Sequence, residues 1–305
     1  MKSVTQTLLE LVSDWKDGFT GAYNIREDGG CAGRQSTKNV EITSKEDLPG
    51  LNIRIRPGTK GETVYIPACV THGNVDDLVY NDFYVGKDAD VTIVAGCGVH
   101  TDDEESARHN GIHRFFLEEN AHVRYEEKHV GTGKGRGIRS IDPVTEATLA
   151  EGAVLEMETS QIGGVDRTYR STSAVLKAGA KLRIHERLLT EKEQTAQTEF
   201  EVRLEGEDSG VDLVSRSVAR DHSHQEYRSR IIGDTRCTGH SECDAIIVGE
   251  GTVSAAPELS ANHADASLIH EAAIGKIAGE QLLKLRTLGL TEEEAEAKIV
   301  AGFLK

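Results

Sequence analysis

The sequence predicts a mainly β protein: a right-handed parallel β-helix with a short N-terminal helix and a C-terminal helical hairpin. A short phrase recurs along the chain at nearly constant intervals, and the hydrophobic period changes at both ends. Aromatic residues make up only 5% of the 305 residues, which suits a thin core of Val, Ile, Leu and Ala. A thick globular core of this size would contain more large rings.

The chain is expected to begin with an amphipathic helix within residues 1–20. Apolar residues recur there at steps of three and four: Val4, Leu8, Leu11, Val12 and Trp15. We expect this apolar stripe to pack on the body of the same chain, and docking on a partner is the alternative. Residues 21–39 are predicted to form a linker, because residues 17–33 are rich in glycine and polar side chains.

Residues 40–272 are predicted to form the β-helix core. Each repeat has an apolar residue, a tight turn built on Gly, Asn or Asp, a small residue and an alternating strand. Copies occur at 85–97, 117–130, 149–162 and 176–189, with a degenerate copy at 202–218 and a last echo at 247–260. The aligned small residues Ala89, Ala121, Ala153 and Ala180 are spaced by 32, 32 and 27. Such periods favour a solenoid, while a β-sandwich is the alternative because its strands also come at short intervals.

Residues 273–305 are predicted to form a helical hairpin. The face of its first helix, which should end near Gly289, contains Ile274, Ile277, Ala278, Leu282 and Leu285. A capping box at Thr291-Glu-Glu-Glu294 opens the second helix, which continues through Ala295, Ile299 and Phe303. The hairpin could close the open end of the solenoid or serve as a docking surface.

Composition limits the partners and the compartment. The formal net charge of −16 argues against nucleic acid or an anionic membrane as the main partner. The five cysteines have no framework spacing, which suits a reducing compartment. The N-terminus does not read as a signal peptide, and no run approaches the ~18 apolar residues of a membrane span. A cytoplasmic location is therefore expected.

Motifs for enzymatic chemistry are largely missing from the sequence. The Gly-rich segment 131–137 lacks the Gly-Lys-Ser/Thr ending of a phosphate-binding loop, and there is no nucleophile elbow. Histidines form two clusters that could bind a divalent metal: His100, His109 and His113, and then His222 and His224. A metal-dependent β-solenoid enzyme is therefore an alternative function.

One further group could bind iron. Cys243 precedes His270 and Glu271 by about one repeat, so the three residues should lie on neighbouring coils. A thiolate is the soft ligand that iron–sulfur clusters require, and an imidazole or carboxylate binds a cluster more weakly. In a regular strand His270 and Glu271 point to opposite faces, so both reach one metal only if a bulge or bend intervenes.

The C-terminal part of the chain resembles the SufB/SufD scaffold family of the SUF iron–sulfur cluster assembly system. The similarity lies in Ser241–Gly249, in Leu268-Ile-His-Glu-Ala272, and in the helix pair that ends with Ile299-Val-Ala-Gly-Phe303. Weaker similarity extends back to about Tyr84. The resemblance implies a β-helix with terminal helices, on which a transient iron–sulfur cluster is assembled and then transferred to apo-proteins.

The resemblance also implies roles and partners. Cys243 and Glu271 match the SufB-type cysteine and glutamate, and His270 matches the histidine of SufD-type subunits. The expected partners are a second copy or a SufB/SufD paralogue, a cysteine desulfurase system that donates sulfur, and a SufC-like ABC-type ATPase. ATP hydrolysis would belong to that ATPase, so the chain itself would not be an enzyme. The ATPase is expected to dock on the C-terminal helices of this chain, at Leu282, Leu285, Ile299 and Phe303. A SufD-like structural subunit without its own cluster is the second alternative.

Overall fold

The computed structural model describes residues 3–13, 15–16 and 18–305. Two long sheets face each other, and the chain passes from one to the other to build a β-solenoid of about eight turns. Sheet 1 contains β1 (Ala22–Glu27), β2 (Gly30–Gln35), β5 (Lys60–Tyr65), β6 (Ala68–Val70), β8 (Asp90–His100), β10 (His122–Thr132), β13 (Val154–Ile162), β15 (Lys181–Thr190), β17 (Gly210–Ala219), β19 (Cys237–Ile247) and β21 (Ala266–Lys276). Sheet 2 contains β3 (Val40–Ser44), β4 (Gly50–Ile55), β7 (Val75–Val85), β9 (Ala107–Leu117), β11 (Arg139–Ile141), β12 (Val144–Leu149), β14 (Arg167–Leu176), β16 (Thr195–Leu204), β18 (His224–Gly233) and β20 (Thr252–Ala261).

The predicted solenoid is confirmed, and the strand register explains why the repeat phrase recurs. Residues that follow the small alanines pair in parallel from coil to coil: Asp90, His122, Val154 and Lys181. The residue before each small residue has a positive φ at Asp88, Asn120, Gly152, Gly179 and Asp208. Only Gly, Asn and Asp adopt this conformation readily, so they mark the same corner on five successive coils.

The last predicted echo of the phrase lies at a different corner. Segments 85–97 to 202–218 run from sheet 2 into sheet 1, whereas segment 247–260 connects β19 of sheet 1 to β20 of sheet 2. Both corners need a tight turn before a strand, and Gly249 supplies the positive φ here. The local sequence therefore looks the same although the position in the coil differs.

The segment predicted as a linker contains a β-hairpin instead. Strands β1 and β2 pair in antiparallel fashion within residues 21–39, and β1 also pairs in parallel with β5. Strand β2 is an edge strand, and most of its residues are exposed or partly exposed. Such a strand does not need an apolar face, so its composition is that of a loop and does not predict a strand.

The N-terminal helix α1 (Ser3–Ser13) packs on the outside of sheet 1, as predicted. Leu8, Leu9 and Val12 are fully buried, whereas Leu11, which was expected on the packed face, is 45% exposed. The approach is close because the facing strand carries glycines: a Cβ at Gly96 would lie 2.3 Å from the carbonyl oxygen of Val12. No helix in the described part of the chain is long and apolar enough to cross a membrane.

The C-terminal hairpin consists of α2 (Gly279–Thr287) and α3 (Glu292–Phe303). The first helix begins later than predicted, because Ile274 still belongs to β21. The capping box is confirmed: Thr291 Oγ1 accepts from the Glu294 amide at 3.2 Å, and a Glu294 carboxylate oxygen accepts from the Thr291 amide at 2.9 Å.

Helix α3 lies alongside the outer face of sheet 1. Arg220, which directly follows β17, forms an ion pair with Glu296, and Arg187 of β15 donates to the carbonyl oxygen of Lys305 at 3.3 Å. These contacts fix the hairpin on the flank of the solenoid.

The interior of the solenoid is apolar over most of its length, but it contains a buried ion group. Arg170 of β14 lies between two carboxylates of sheet 1, with its guanidinium 2.7 Å from Glu127 and 3.4 Å from Glu186. Burial opposes the ionisation of Glu127, yet His129 and Arg170 outweigh it and hold the pKa of that carboxyl well below its usual value. Arg170 thus joins both sheets across three coils.

Replacing Arg170 should strongly destabilise the fold. Arg170→Met leaves two carboxylates buried without their cation, and breaking a buried pair in this way costs roughly 3–5 kcal/mol. Urea unfolding followed by circular dichroism should show this loss. Arg183→Met, which removes an exposed ion pair with Glu156 on the outside of sheet 1, is the control and should change stability by less than about 1 kcal/mol. Equal unfolding midpoints for the two variants would contradict this view of the interior.

Candidate functional site

Strands β19 and β21 bring the predicted iron-binding residues onto adjacent coils and separate them by face. In the parallel register Ser241 pairs with His270, Glu242 with Glu271 and Cys243 with Ala272, without a register shift. Because neighbouring residues alternate between faces, Cys243 and His270 point to the interior while Glu271 points outward. No bulge is present to bring all three together. The interval between coils is 29 residues here, as the Cys243–Ala272 pair shows.

Cys243 lies inside the solenoid and is only 1% exposed. Burial, and to a smaller extent the nearby carboxylates of Glu186 and Asp244, raise the pKa of its thiol to about 12. The thiol is therefore protonated at neutral pH. A metal ion that binds Cys243 must displace this proton.

His270 faces the same interior space from the next coil, which is the last one. It is partly buried, and its Nδ1 atom has no hydrogen-bond partner. Ser241, the residue that pairs with His270, is held by hydroxyl contacts to Tyr227 at 3.0 Å and to Ser229 at 2.9 Å. The register places His270 diagonally across from Cys243 on the same inward face. An unsatisfied imidazole nitrogen on that face can accept a metal ion.

A row of polar residues runs through the interior toward Cys243. In sheet 1 the register aligns Glu127, Thr159, Glu186, Ser215 and Cys243 on successive coils. Ser215 donates to Glu186 at 2.8 Å. This row was not predicted from the sequence. The row could have been found from the two-residue period of each strand, because that period places these polar residues on the same inward face as the apolar core residues.

A second group with metal-binding potential lies on the outer face of β19 and β21. His240, Glu242 and Glu271 each offer a ligand atom, and these atoms lie within 4.8 Å of one another. His240 Nδ1 is 2.8 Å from Asp212, and its Nε2 is 3.6 Å from Glu271. The hydrogen bond to Asp212, followed by that to Glu271, raises the pKa of His240. His240 and Glu242 were not predicted as site residues, although both point outward from the sheet, as Glu271 does.

The two predicted histidine clusters do not form as such. His109 and His113 lie together in the interior, but His100 contacts Thr132 at 2.9 Å and Asp102 at 3.2 Å. His222 and His224 are exposed, and each contacts its own carboxylate, Glu250 or Glu226. His222 lies in a turn and His224 begins β18, so the two are not on one strand face as expected.

The predicted docking residues of the hairpin are not its most exposed apolar residues. Their side chains are all partly buried: Leu282, Leu285, Ile299 and Phe303. The most exposed apolar side chains belong to residues that were not predicted, Leu283 at 61% and Leu288 at 74%.

Comparison with known proteins agrees with this architecture. Residues 80–303 match the family model described as the SUF system FeS cluster assembly, SufBD core domain. The chain belongs to the SufBD family. The resemblance in the C-terminal sequence is thereby confirmed.

Similar curated proteins carry the same description, an iron–sulfur cluster assembly SufBD family protein. One from Methanothermobacter thermautotrophicus is 29% identical over 267 residues, which are 85% of this chain and 63% of that protein. One from Archaeoglobus fulgidus is 28% identical over 269 residues, covering 87% of this chain and 71% of the relative. One from Methanocaldococcus jannaschii is 25% identical over 240 residues, with coverage of 77% and 74%. The chain therefore spans less than two thirds of the length of the first of these relatives.

Proposed function

We propose that this chain is a scaffold on which a nascent iron–sulfur cluster is assembled before its transfer to apo-proteins. The observation that carries the proposal is that the buried Cys243 thiol and His270, whose Nδ1 is unsatisfied, share the inward face of the last two coils. The cluster is a transient cargo of this site. Cys243 provides the strong thiolate bond, and His270 a weaker ligand from which the cargo can be released.

Glu271 contributes from the other face of the sheet. Its carboxylate lies near the imidazole of His240 and the carboxylate of Glu242, and oxygen and imidazole donors suit ferrous iron. We propose that this outer group holds incoming iron close to the strand that bears Cys243. The role of Glu271 is then to bind iron and not to complete one shell with Cys243.

The exposed end of the solenoid supports pairing with a second copy or with a SufB/SufD paralogue. Strands β20 and β21 are the last of their sheets, and each leaves one edge open in the described part of the chain. Ile269 is 53% exposed and Ile274 is 40% exposed on β21. An open edge with apolar side chains is a template for another chain. Pairing there would cover the Cys243 site and protect a cluster from oxidation.

The other proposed partners are a SufC-like ATPase and a cysteine desulfurase system that supplies sulfur. The hairpin supports ATPase docking, because Leu283 and Leu288 expose apolar side chains while Glu296 anchors α3 to Arg220 of the solenoid. A partner bound at α2 would thus act on an element that is tied to the scaffold. ATP hydrolysis belongs to that partner, and this chain acts without catalysing a reaction itself.

Removing the Cys243 thiol should abolish cluster assembly. Under anaerobic reconstitution with iron and sulfide, the parent should bind both, and Cys243→Ala should retain less than about a tenth because the strongest ligand is lost. Iron and sulfide analysis with visible absorption measures this. Cys237→Ala is the matched control, because Cys237 is buried on the same strand and face. Equal iron and sulfide in Cys243→Ala and parent would favour a SufD-like structural subunit.

The open edge formed by β20 and β21 should determine whether the chain forms a dimer. Ile269→Asp places a charge in the proposed contact, so the variant should have half the mass of the parent in light scattering after size exclusion. Leu78→Asp changes a similarly exposed apolar residue on β7 and should leave the dimer intact. A parent that is monomeric at all concentrations would contradict the homodimer and leave the paralogue to be tested by co-purification.

Docking of the ATPase should depend on the exposed leucines of the hairpin. Leu283→Glu and Leu288→Glu should each weaken binding of the SufC-like ATPase by roughly 10-fold or more, because central apolar contacts dominate interface energy. Calorimetric titration of the parent and variants measures the change. Leu48→Glu, in a loop after β3, is the control and should bind like the parent. Unchanged binding by both hairpin variants would show that the ATPase docks elsewhere.

A further inference from the structure

A small cavity lies between the outer face of sheet 1 and the residues that follow α3. Its volume is about 180 Å³, which is room for about six water molecules. Three cationic residues line it, Arg187, Arg216 and Lys305, although the formal net charge of the chain is −16. Glu186 also borders it, but its carboxylate points inward and accepts hydrogen bonds inside the solenoid. Cationic residues at one concave site of an acidic chain favour an anionic ligand.

The two arginines of this cavity stand side by side on neighbouring coils and lean apart. Arg187 of β15 and Arg216 of β17 are paired in the parallel register, so they leave the sheet at adjacent positions. Arg187 reaches back to Glu158 on β13, with its Nη2 2.6 Å from the carboxylate. Arg216 reaches forward to Glu242 on β19, at 3.8 Å. Because their partners lie on opposite sides, the guanidinium groups diverge, and the space above Val214 stays open.

The neighbouring carboxylates do not use up the donors of these arginines. Within the described part of the chain Arg216 has only its ion pair with Glu242, and 3.8 Å is too long for a hydrogen bond. Arg187 donates to Glu158 and to the carbonyl oxygen of Lys305. Its Nε is buried and has no acceptor among the described residues. A buried N–H without an acceptor is costly, so a ligand that supplies one is favoured.

The size of the cavity and the placement of its donors indicate the class of ligand. Arginine binds a carboxylate through parallel hydrogen bonds, so two diverging guanidinium groups can hold two carboxylates of one molecule. A single inorganic phosphate would leave part of this space unfilled. The volume is also well below the roughly 300–1,000 Å³ of pockets that bind drug-sized molecules. A small polycarboxylate fits both limits.

The cavity adjoins the outer group of His240, Glu242 and Glu271. Glu242 lines the cavity and is at the same time a member of that group. A polycarboxylate held by the two arginines therefore lies next to the residues that we propose to hold incoming iron. Carboxylate oxygens bind hard divalent cations, so a carboxylate that does not contact an arginine can carry ferrous iron to this place.

We propose that the cavity between Arg187 and Arg216 binds a small polycarboxylate that delivers ferrous iron to the outer group. The iron passes by ligand exchange: carboxylate oxygens of the carrier leave the ion as His240 Nε2 and the carboxylates of Glu242 and Glu271 bind it. No electron is transferred, and the iron remains Fe²⁺. Delivery rests on the proposed iron-binding role of the outer group, whereas binding of the polycarboxylate depends on the cavity alone.

Calorimetric titration with citrate tests the cavity by itself, on the full chain after dialysis that removes metals and chelators. One citrate per chain is expected, and inorganic phosphate, which cannot span both arginines, should bind at least about 10-fold more weakly. Arg216→Gln should weaken citrate binding by about 10-fold or more, because a charged, bidentate contact is lost. Val214→Phe keeps both arginines but fills the space between them, so it should weaken binding similarly. Arg183→Gln, which changes an exposed arginine of β15 outside the cavity, is the control and should bind like the parent.

Three results would contradict the assignment of this cavity. The first is a parent that does not bind citrate. The second is parent-like binding by both Arg216→Gln and Val214→Phe. The third is phosphate binding as tight as citrate binding, which would exclude a site built for a polycarboxylate.

Delivery of iron is measured separately, under anaerobic conditions. The parent and the variants receive Fe²⁺ either as a simple salt or as its citrate complex, and iron bound to protein is measured after gel filtration. Arg216→Gln should take up simple Fe²⁺ like the parent but at least about 5-fold less iron from the citrate complex, since only the complex uses the arginines. His240→Gln should bind less iron from both sources.

The outcomes distinguish the two proposals. Equal losses by Arg216→Gln with both iron sources would show that Arg216 acts only through Glu242 and would overturn delivery by a polycarboxylate. Parent-like iron binding by His240→Gln would instead contradict the iron-binding role of the outer group, and the citrate titration would still decide whether the cavity binds a polycarboxylate.

Discussion

Arg170, held between Glu127 and Glu186, is the interaction on which the interior of this solenoid depends. The guanidinium projects from sheet 2, and the carboxylates belong to two strands of sheet 1. Removing Arg170 leaves both carboxylates buried without their cation, which is costly in a medium of low dielectric. The pairing therefore fixes the distance between the sheets. It also fixes the hydrogen bonds that extend from it, to Tyr125 and His113 on one side and to Ser215 on the other.

The same carboxylates help to raise the pKa of two buried thiols, Cys97 and Cys243. Glu127 adds to the effect of burial on the pKa of Cys97, and Glu186 adds to it at Cys243. Both thiols are thus held in the neutral form, which protects them from oxidation because the thiolate is the reactive species. At Cys243 the nearby negative charge also attracts a metal cation, which lowers the pKa of a thiol it binds. An interior with this distribution of charge disfavours an isolated thiolate and favours a metal-bound one.

The fold could be predicted because each coil repeats the same local constraint. A turn with positive φ needs Gly, Asn or Asp, as at Asn120 and Gly179, and the following strand must alternate. These local rules do not identify the corner, so the segment 247–260 resembles the other repeats although it lies at a different corner. Cys243 and His270 could be placed on neighbouring coils from their spacing. The role of Arg170 could not be predicted, because its partners belong to the opposite sheet and only the stacking of coils brings them into contact.

The position of the proposed cluster site on the last coils follows from packing. In the middle of the solenoid an inward side chain is covered by a coil on each side, and the cavities lined by His113 or Arg170 measure only about 20 and 10 Å³. A cluster of several iron and sulfur atoms cannot form in such spaces without opening the sheets. Toward β21 the covering coil is missing, and the inward positions change from the fully buried Cys243 to the partly exposed His270. A thiol can therefore remain shielded while its cargo projects beyond the last coil, where a partner can cover it during assembly and uncover it for transfer.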